Sequence, residues 1–589
     1  MAAQRDMAAD MEQRGKAPGT VVAEGAEPAG RADRVRWALL LAAIGVLALV
    51  VALHTIRLEA APGWDPQEGY NLDLAWNLLH GRLRLFALTQ AFAQHPPLFY
   101  AQLALSIRVF GYSIVAVRAL AALYAVLTCA ALLAFGWRML GPGPALWAGV
   151  VFTAAPLFLA NTRWGYSYAG LMLAGLLCLW AAWRYLERPS RGRLALAAGL
   201  AGLATLSDYE GVALVALVGL LALGARRRDV WLALVVGLGL PLIGLMACFA
   251  AAPGVFASDL GDTFGRAAGG NVALQVVELL VNYYRFVTFD PWIVLGLVGL
   301  FLVRKAQTRV FLLGALAVLG VVALKVRVIG PSFHTAVPLI PLLALGAGVA
   351  LDAAIRHLYG WVRAGVVRLF GAVAQREQAA PGSGQDADGG ATIEGWRLVR
   401  GVVARRGPNV VAALVAFLAV VAPVAIALAG DVGGLATTFA TRNDAALATD
   451  PAGARAAATY VLAHAQPGDV ALGSPQVVWQ LDQPDDTHGT AQPLYAADIL
   501  QTVAYTGRAA AFYPAGLGRG RWAFDVSLGH ARYVIVDNLV RRLAAPDEGL
   551  ALAPVLAAVA SWPVVYQRGE FTIYERPAIE AATGTDRGW

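Results

Sequence analysis

Apolar runs of about twenty residues recur along most of this chain, from Arg36 to Gly430. A run of that length forms a helix able to cross the hydrocarbon core of a bilayer, which is about 30 Å thick. The runs lack the alternation of polar and apolar residues that a membrane-spanning barrel requires. Hydrophobic residues make up 58% and charged residues 14% of the 589 positions, which excludes a series of ordinary soluble domains. The sequence therefore predicts a polytopic α-helical membrane protein.

Basic residues at the ends of the runs predict the topology. Arg31, Arg34 and Arg36 precede the first run, and the positive-inside rule then favours a cytoplasmic N-terminus. The later basic connectors are also expected in the cytoplasm, which leaves everything after residue 430 outside and requires an odd number of crossings. The predicted spans are 37–56, 98–112, 118–138, 145–161, 166–186, 194–206, 211–224, 230–250, 291–303, 309–326, 335–352 and 409–430.

Twelve segments conflict with an odd number of crossings, and the conflict falls between residues 98 and 165. Either the short segment 98–112 dips into the membrane without crossing it, or a thirteenth crossing is hidden. We therefore expect 11 to 13 transmembrane helices in a multi-pass protein of the plasma (inner) membrane.

Composition divides the chain into five predicted parts. The apolar fraction falls after residue 430, where short strand patterns at 469–473, 531–537 and 564–574 and a helix at 454–464 predict an α/β domain outside the membrane. The parts are a disordered cytoplasmic tail at 1–35, a transmembrane module at 36–356 with outside loops at 57–97 and 251–290, a flexible basic cytoplasmic loop at 357–408, a last transmembrane helix at 409–430 and the extracytoplasmic domain at 431–589.

Charge and cysteine content exclude two classes of function. The net charge is +7, but the arginines cluster at the ends of apolar runs, so we expect no nucleic-acid partner. The three cysteines, Cys129, Cys178 and Cys248, all lie inside apolar segments. They provide neither a disulfide framework nor a zinc cluster.

The first outside loop predicts one short amphipathic helix ending before Gly81. Leu72, Trp76 and Leu79 share an apolar face, and polar residues occupy the opposite face. We expect this helix to lie flat on the membrane surface.

Asp65 and Glu68, at the start of that helix, have two interpretations. Asp at the cap, Pro66 at the first helical position and Glu three residues on form a capping box, which is a purely structural motif. The alternative is an acidic pair that takes part in catalysis. The two roles compete in part, because a carboxylate that accepts backbone N–H bonds is a weaker general base.

The second half of the loop reads Gln94-His95-Pro96-Pro97-Leu98 and leads directly into the next apolar run. An acidic pair after the first span, an amphipathic helix ending in Gly and a His-Pro-Pro-Leu segment occur in that order. This order resembles the GT-C glycosyltransferases of the protein O-mannosyltransferase and aminoarabinose-transferase type, a family 39-like group. The resemblance covers roughly residues 37–250 and rests on the order of the motifs, since no single one is specific.

The resemblance implies a GT-C fold and an integral membrane glycosyltransferase. Such an enzyme takes a sugar from a polyprenyl-phosphate donor in the membrane lipid and passes it to an acceptor outside, with inversion at the anomeric carbon. It implies Asp65 as the base that deprotonates the acceptor, and Glu68 as a catalytic-site residue that positions the acceptor or a divalent metal. By analogy, His95 contacts the donor phosphate when it is protonated. Hexosyl or pentosyl transfer, the acceptor and any metal stay open.

The leaving group of this reaction is a phosphate, so cationic donors are needed to stabilise it. Arg163, Arg285, Arg327 and His334 are the residues from which we expect this contact, with Tyr284 beside Arg285 in the second outside loop. The alternative for each arginine is a side chain that reaches the membrane interface without any substrate contact.

Two acidic residues, Asp208 and Glu210, interrupt an apolar stretch where many relatives carry a lysine. Carboxylates at that depth are costly unless they face a wet cavity, so they are expected in the wall of the site. They are equally consistent with a short turn between two helices. In the C-terminal domain, the run from Asp482 to His488 is either a hard-cation site or a solvated loop.

Two other functions compete with the glycosyltransferase prediction. A secondary transporter also needs many helices and intramembrane carboxylates, but the chain has no inverted repeat and has large outer loops. A catalytically silent protein of envelope-polysaccharide assembly would keep the fold without the reaction.

Overall fold

The computed structural model describes the chain over most of its helices and strands. The described residues are 29–61, 63–80, 96–155, 159, 162–251, 292–325, 337–379, 409–412, the single positions 415, 418, 422, 425, 426 and 429, and then 449–466, 468–481, 494–499, 531–544 and 552–577. The chain divides into two units, Met1–Gly45 and Val46–Trp589, and the first helix runs from one into the other.

Apolar helices make up most of the described residues before residue 380, as the sequence predicted. The helices are α1 (Ala29–Thr55), α2 (Pro66–Leu79), α3 (Pro97–Phe110), α4 (Ile114–Leu140), α5 (Pro142–Ala154), α6 (Tyr168–Glu187), α7 (Arg191–Ser207), α8 (Val212–Ala225), α9 (Val230–Ala251), α10 (Trp292–Phe301), α11 (Ala306–Lys325) and α12 (Ile340–Ala379). The described positions between 409 and 429 are helical as well.

Five of the described helical segments are long and apolar enough to cross a membrane. They are Asp33–Thr55, Ile114–Leu140, Tyr168–Glu187, Arg227–Ala250 and Val337–Arg368, and shorter apolar helices lie at Pro97–Phe110, Tyr209–Ala225, Trp292–Phe301 and Ala306–Gly320. The α3 helix has 14 residues and is therefore about 21 Å long, too short to cross about 30 Å of hydrocarbon alone. This agrees with the alternative in which segment 98–112 does not cross.

Two predicted loop boundaries are wrong. Residues 29–35, assigned to the tail, already belong to α1, and residues 357–379, assigned to a flexible cytoplasmic loop, continue α12. In both cases charged residues at a helix end were interpreted as the end of the helix, although arginine is a good helix former in water. Segments 1–28, 252–291 and 380–408 lie outside the described residues.

The C-terminal α/β region, residues 449–577 as described, contains a five-stranded mixed sheet. Its elements are α13 (Pro451–His464), β1 (Asp469–Gly473), α14 (Pro475–Leu481), β2 (Leu494–Asp498), β3 (Tyr533–Val536), α15 (Asn538–Leu543), α16 (Leu552–Val559), β4 (Val564–Arg568) and β5 (Phe571–Glu575). The strand order is β2-β1-β3-β5-β4. The first three strands are parallel, and β5 pairs antiparallel with both β3 and β4.

The central strand β3 is buried along its whole length, as expected for an apolar, β-branched run in the parallel part of a sheet. The predicted single strand 564–574 is instead the β4–β5 hairpin. Gly569 adopts φ +59° at its turn, a conformation that favours glycine. The alternating pattern on both sides of the turn looked continuous in the sequence, and β2 was not predicted.

One apolar core joins α2, α3 and α4 to the C-terminal sheet and to α13 and α14. The α2 helix packs against both α3 and α14, and four consecutive residues, Leu72 to Ala75, are 5% exposed or less. Residues 72–75 are therefore covered by α3 and by the C-terminal region, while the placement of α2 flat on a membrane surface stays a prediction.

Candidate active site

Asp65 directly precedes α2 and caps the N-terminal end of this helix. Its side chain accepts a hydrogen bond from the N–H of Gln67 at 2.9 Å, and the N–H of Asp65 donates to Glu68 Oε2 at 3.0 Å. The capping box predicted from the sequence is thus present. The Asp65 side chain is nearly buried, with 3% exposure. Capping fixes the backbone of Asp65 and the direction in which its carboxylate leaves the chain.

Glu68 forms a buried ion pair with Arg118 near the start of α4. Arg118 Nε donates to Oε1 and Nη2 donates to Oε2, both at 2.7 Å, and both side chains are fully buried. Glu68 Oε1 also accepts from the N–H of Gly165 at 3.1 Å. Such a two-pronged pair is both strong and geometrically specific. The other Arg118 N–H groups donate to the carbonyls of Leu58, Glu59 and Gly63.

The segment before α6 is attached to α2 and to the residues that precede it. Trp164 Nε1 donates to the carbonyl of Gly63 at 3.1 Å, and Asn71 Nδ2 donates to the carbonyl of Gly165 at 2.8 Å. Together with the bond from Gly165 to Glu68, these contacts join α2, α4 and α6 at one point. Asp65 lies at the edge of this polar cluster.

Arg163 serves as a cap for the C-terminal end of α1. Arg163 is 1% exposed, and its guanidinium donates to backbone carbonyls. Burial, and next the neighbouring Arg118, lower the pKa of the Arg163 guanidinium, while Glu68 opposes this shift. A cation beside the last carbonyls of a helix is favourable. The acceptors are the carbonyls of Leu53, Ile56, Arg57 and Ala61.

Asp208 and Glu210 lie at the turn between α7 and α8. Asp208 is 4% exposed, accepts from the Ser167 hydroxyl at 2.9 Å and caps the short 3-10 turn through the N–H of Glu210 at 3.1 Å. Glu210 Oε2 is buried without a hydrogen-bond partner. The Glu210 side chain lines a small, otherwise apolar pocket that includes Leu171 and Met172. The turn between two helices is thus present, and the place of Asp208 and Glu210 in the wall of a site stays a prediction.

Five of the predicted site residues lie outside the described residues: His95, Tyr284, Arg285, Arg327 and His334. The run from Asp482 to His488 lies outside them too. Within the described part of the chain, no group of three or more His, Cys, Asp or Glu side chains is placed to hold a metal. Of the predicted site residues that are described, Asp65, Glu68 and Arg163 surround the same stretch of backbone between α1 and α2.

Sequence reasoning missed the partners that organise this cluster. Of these partners, Arg118 could have been recognised in the sequence, because an arginine near the start of a long apolar helix needs a buried partner. Asn71, Trp164 and Gly165 carry no comparable signal, since each acts through one or two hydrogen bonds to residues distant in sequence.

Both the sequence and the fold of this chain are similar to those of known glycosyltransferases. Residues 94–252 match the family model described as dolichyl-phosphate-mannose-protein mannosyltransferase. The crystal structure of ArnT from Cupriavidus metallidurans bound to undecaprenyl phosphate is similar, with a TM-score of 0.55 at 17% identity over 92% of this chain and 99% of that one. The chain has the GT-C glycosyltransferase fold.

The apo structure of the same ArnT gives this GT-C chain a TM-score of 0.55 at 17% identity, over 93% of this chain and 99% of that one. No curated protein matches the chain at a significant level. The resemblance predicted from the order of the sequence motifs is confirmed, as is the class of a multi-pass membrane protein with a C-terminal sheet.

Proposed function

We propose that this protein transfers a sugar from a polyprenyl-phosphate donor to an acceptor on the extracytoplasmic face, with inversion at the anomeric carbon. The observation that carries the proposal is the fold, which is shared over nearly the whole length of ArnT from Cupriavidus metallidurans, a protein crystallised with undecaprenyl phosphate. The match of residues 94–252 to a model of lipid-phosphate-dependent mannosyltransferases supports the same reaction class.

Asp65 is the proposed general base. Its carboxylate takes the proton of an acceptor hydroxyl while the acceptor oxygen forms a bond to the anomeric carbon, and the bond from that carbon to the phosphate oxygen breaks. The electron pair leaves with the polyprenyl phosphate. The near burial of Asp65 favours this role, because water competes poorly with the acceptor in a closed site.

Glu68 and Arg163 receive structural roles in the proposal. Both oxygens of Glu68 bond to Arg118 and to backbone N–H groups, so Glu68 holds the base in place instead of meeting acceptor or metal. Arg163 donates to the carbonyls at the end of α1, so we do not assign it to the donor phosphate. The phosphate contacts predicted for His95, Arg285, Arg327 and His334 stay predictions, as does the placement of Tyr284.

The test is incubation of purified protein with a panel of lipid-phosphate sugars, with release of the polyprenyl phosphate as the readout. Asp65→Asn is the informative variant, because asparagine caps helices as well as aspartate but cannot accept the proton. We expect at least a 10²-fold lower transfer rate, the lower end of typical general-base contributions. Folding should be unaffected.

Asp65→Ala, which removes both the cap and the base, is the matched control for stability. Transfer by Asp65→Asn at the wild-type rate would refute the base assignment. Failure of the wild type to consume any donor would refute the reaction. Substrate flux in proteoliposomes without a lipid-linked donor would support the transporter alternative.

A further inference from the structure

Trp64, the residue directly before Asp65, pairs with the C-terminal α/β region through its backbone. The N–H of Trp64 donates to the carbonyl of Thr449 at 3.0 Å, and the N–H of Thr449 donates back to the carbonyl of Trp64 at 2.9 Å. Both residues are almost fully buried. Thr449 immediately precedes Asp450, which caps α13. The backbone on one side of Asp65 is therefore attached to the C-terminal region.

The Trp64 side chain is enclosed by the same region. The ring of Trp479 in α14 meets it edge-on, with centroids 5.5 Å apart, and the Arg455 guanidinium of α13 lies 5.1 Å from its centroid. Arg455 also forms an ion pair with Glu59, whose carbonyl accepts from Trp64 Nε1 at 3.0 Å. Aromatic and cation–π contacts of this kind hold a ring in one orientation.

On its other side, Asp65 is attached to the transmembrane module. Its N–H donates to Glu68, and Glu68 is paired with Arg118 in α4. Two parts of the chain thus hydrogen-bond to adjacent residues here: the C-terminal region to Trp64, and Glu68 of the transmembrane module to Asp65. Movement of the C-terminal region relative to α4 would displace the carboxylate, and a displacement of about 1 Å at a reacting group can lower a rate by about 10²-fold.

We infer that the C-terminal region contributes to the reaction by positioning Asp65, with Trp64 and Thr449 as positioning residues. The inference rests on the proposed function, and it gives the C-terminal region a part in the chemical step. Its signature is a lower kcat with an unchanged KM for the donor, because the lipid-linked sugar does not need the Trp64–Thr449 contact in order to bind.

The discriminating variant is Thr449→Pro, which removes the N–H that donates to Trp64. Thr449→Ala keeps this N–H and removes the hydroxyl and the γ-methyl group, so it measures how much the Thr449 side chain contributes to kcat. With the donor that the wild type consumes, Thr449→Pro should have a kcat at least about ten-fold below that of Thr449→Ala, at the same donor KM. Thermal unfolding of both variants identifies any loss that arises from misfolding.

Equal kcat values for the two variants would overturn the inference. A change in KM with an unchanged kcat would also overturn it, because the C-terminal region would then act on binding.

If the wild type consumes no donor at all, the proposed function fails. The attachment of Trp64 to Thr449 can then be measured separately by cross-linking. Cysteines replacing Glu59 and Arg455 in the full chain should be joined efficiently by a short bis-maleimide, and adding Thr449→Pro should reduce the yield at least about three-fold. An unchanged yield would show that the bridge does not hold the two parts together.

Discussion

Arg118 and Glu68 are 50 residues apart in the sequence, yet they form a fully buried, two-pronged ion pair between α4 and α2. The pair fixes the first turn of α2, and through the N–H of Asp65 it also fixes the proposed base. A buried pair contributes little net stability over an apolar substitute, but removal of one partner leaves an uncompensated charge.

Arg118→Met is therefore expected to lower the free energy of unfolding by about 3–5 kcal/mol. The double variant Glu68→Gln with Arg118→Met should recover part of this loss, because no charge is then left buried. Thermal unfolding in detergent measures both. Arg108→Met, at an exposed arginine of α3, is the matched control and should lie within about 0.5 kcal/mol of the wild type. Equal losses in the single and double variants would contradict the pairing.

Gly69 lets α2 approach α14 closely. A Cβ at this position would lie 2.3 Å from the carbonyl oxygen of Pro475 and 2.8 Å from its carbonyl carbon. Although alanine is favoured over glycine in helices, Gly69→Ala is expected to destabilise the protein by about 1–3 kcal/mol through overpacking. Gly239→Ala in α9, where a Cβ would meet nothing within 4 Å, should be neutral or stabilising. A stabilising effect at both sites would show that α2 and α14 are not in contact.

Substitution of Arg163 separates its two interpretations. Lysine cannot reproduce the fork of N–H groups that serves several carbonyls at the end of α1, so Arg163→Lys should lose about 2–4 kcal/mol of stability. The donor KM of the folded fraction should stay at the wild-type value. Normal stability with a raised donor KM would instead support the phosphate contact predicted from the sequence.

The stability of the C-terminal region is expected to depend on pH through the carboxyl group of Asp537. Burial raises the pKa of its carboxyl above the ordinary value, and hydrogen bonds from the Ser474 hydroxyl and the Val540 N–H oppose part of the shift. Because the folded-state pKa is raised, the contribution of Asp537 is fully present below the unfolded pKa of about 3.9 and is lost as pH rises through the folded pKa.

Asp537→Asn mimics the protonated side chain, so the stability of the wild type relative to this variant should fall as the pH rises from about 4 through the raised folded pKa. Unfolding midpoints measured side by side across this range provide the check. A constant difference for Asp537→Asn would contradict the prediction.

Local patterns explain why much of the architecture could be predicted. The length of each apolar run and the capping residues Asp65 and Glu68 act over one to five helical turns, and they gave the positions of the spans and the start of α2. The same local pattern cannot identify what covers a helix. The apolar face of α2 does not reveal in the sequence that α14 packs against it, and only the structure shows this contact.

The sequence by itself determined that this is a helical membrane protein with a C-terminal α/β region, because burial of twenty consecutive apolar residues leaves few alternatives. The tertiary structure alone decided which partners satisfy its buried polar residues. Arg163 donates to carbonyls at the end of α1, and the contacts of Arg118, Trp64 and Thr449 around Asp65 were not predicted. The physical reason is that a buried polar group takes its function from the partner that satisfies it, and these partners are distant in the chain.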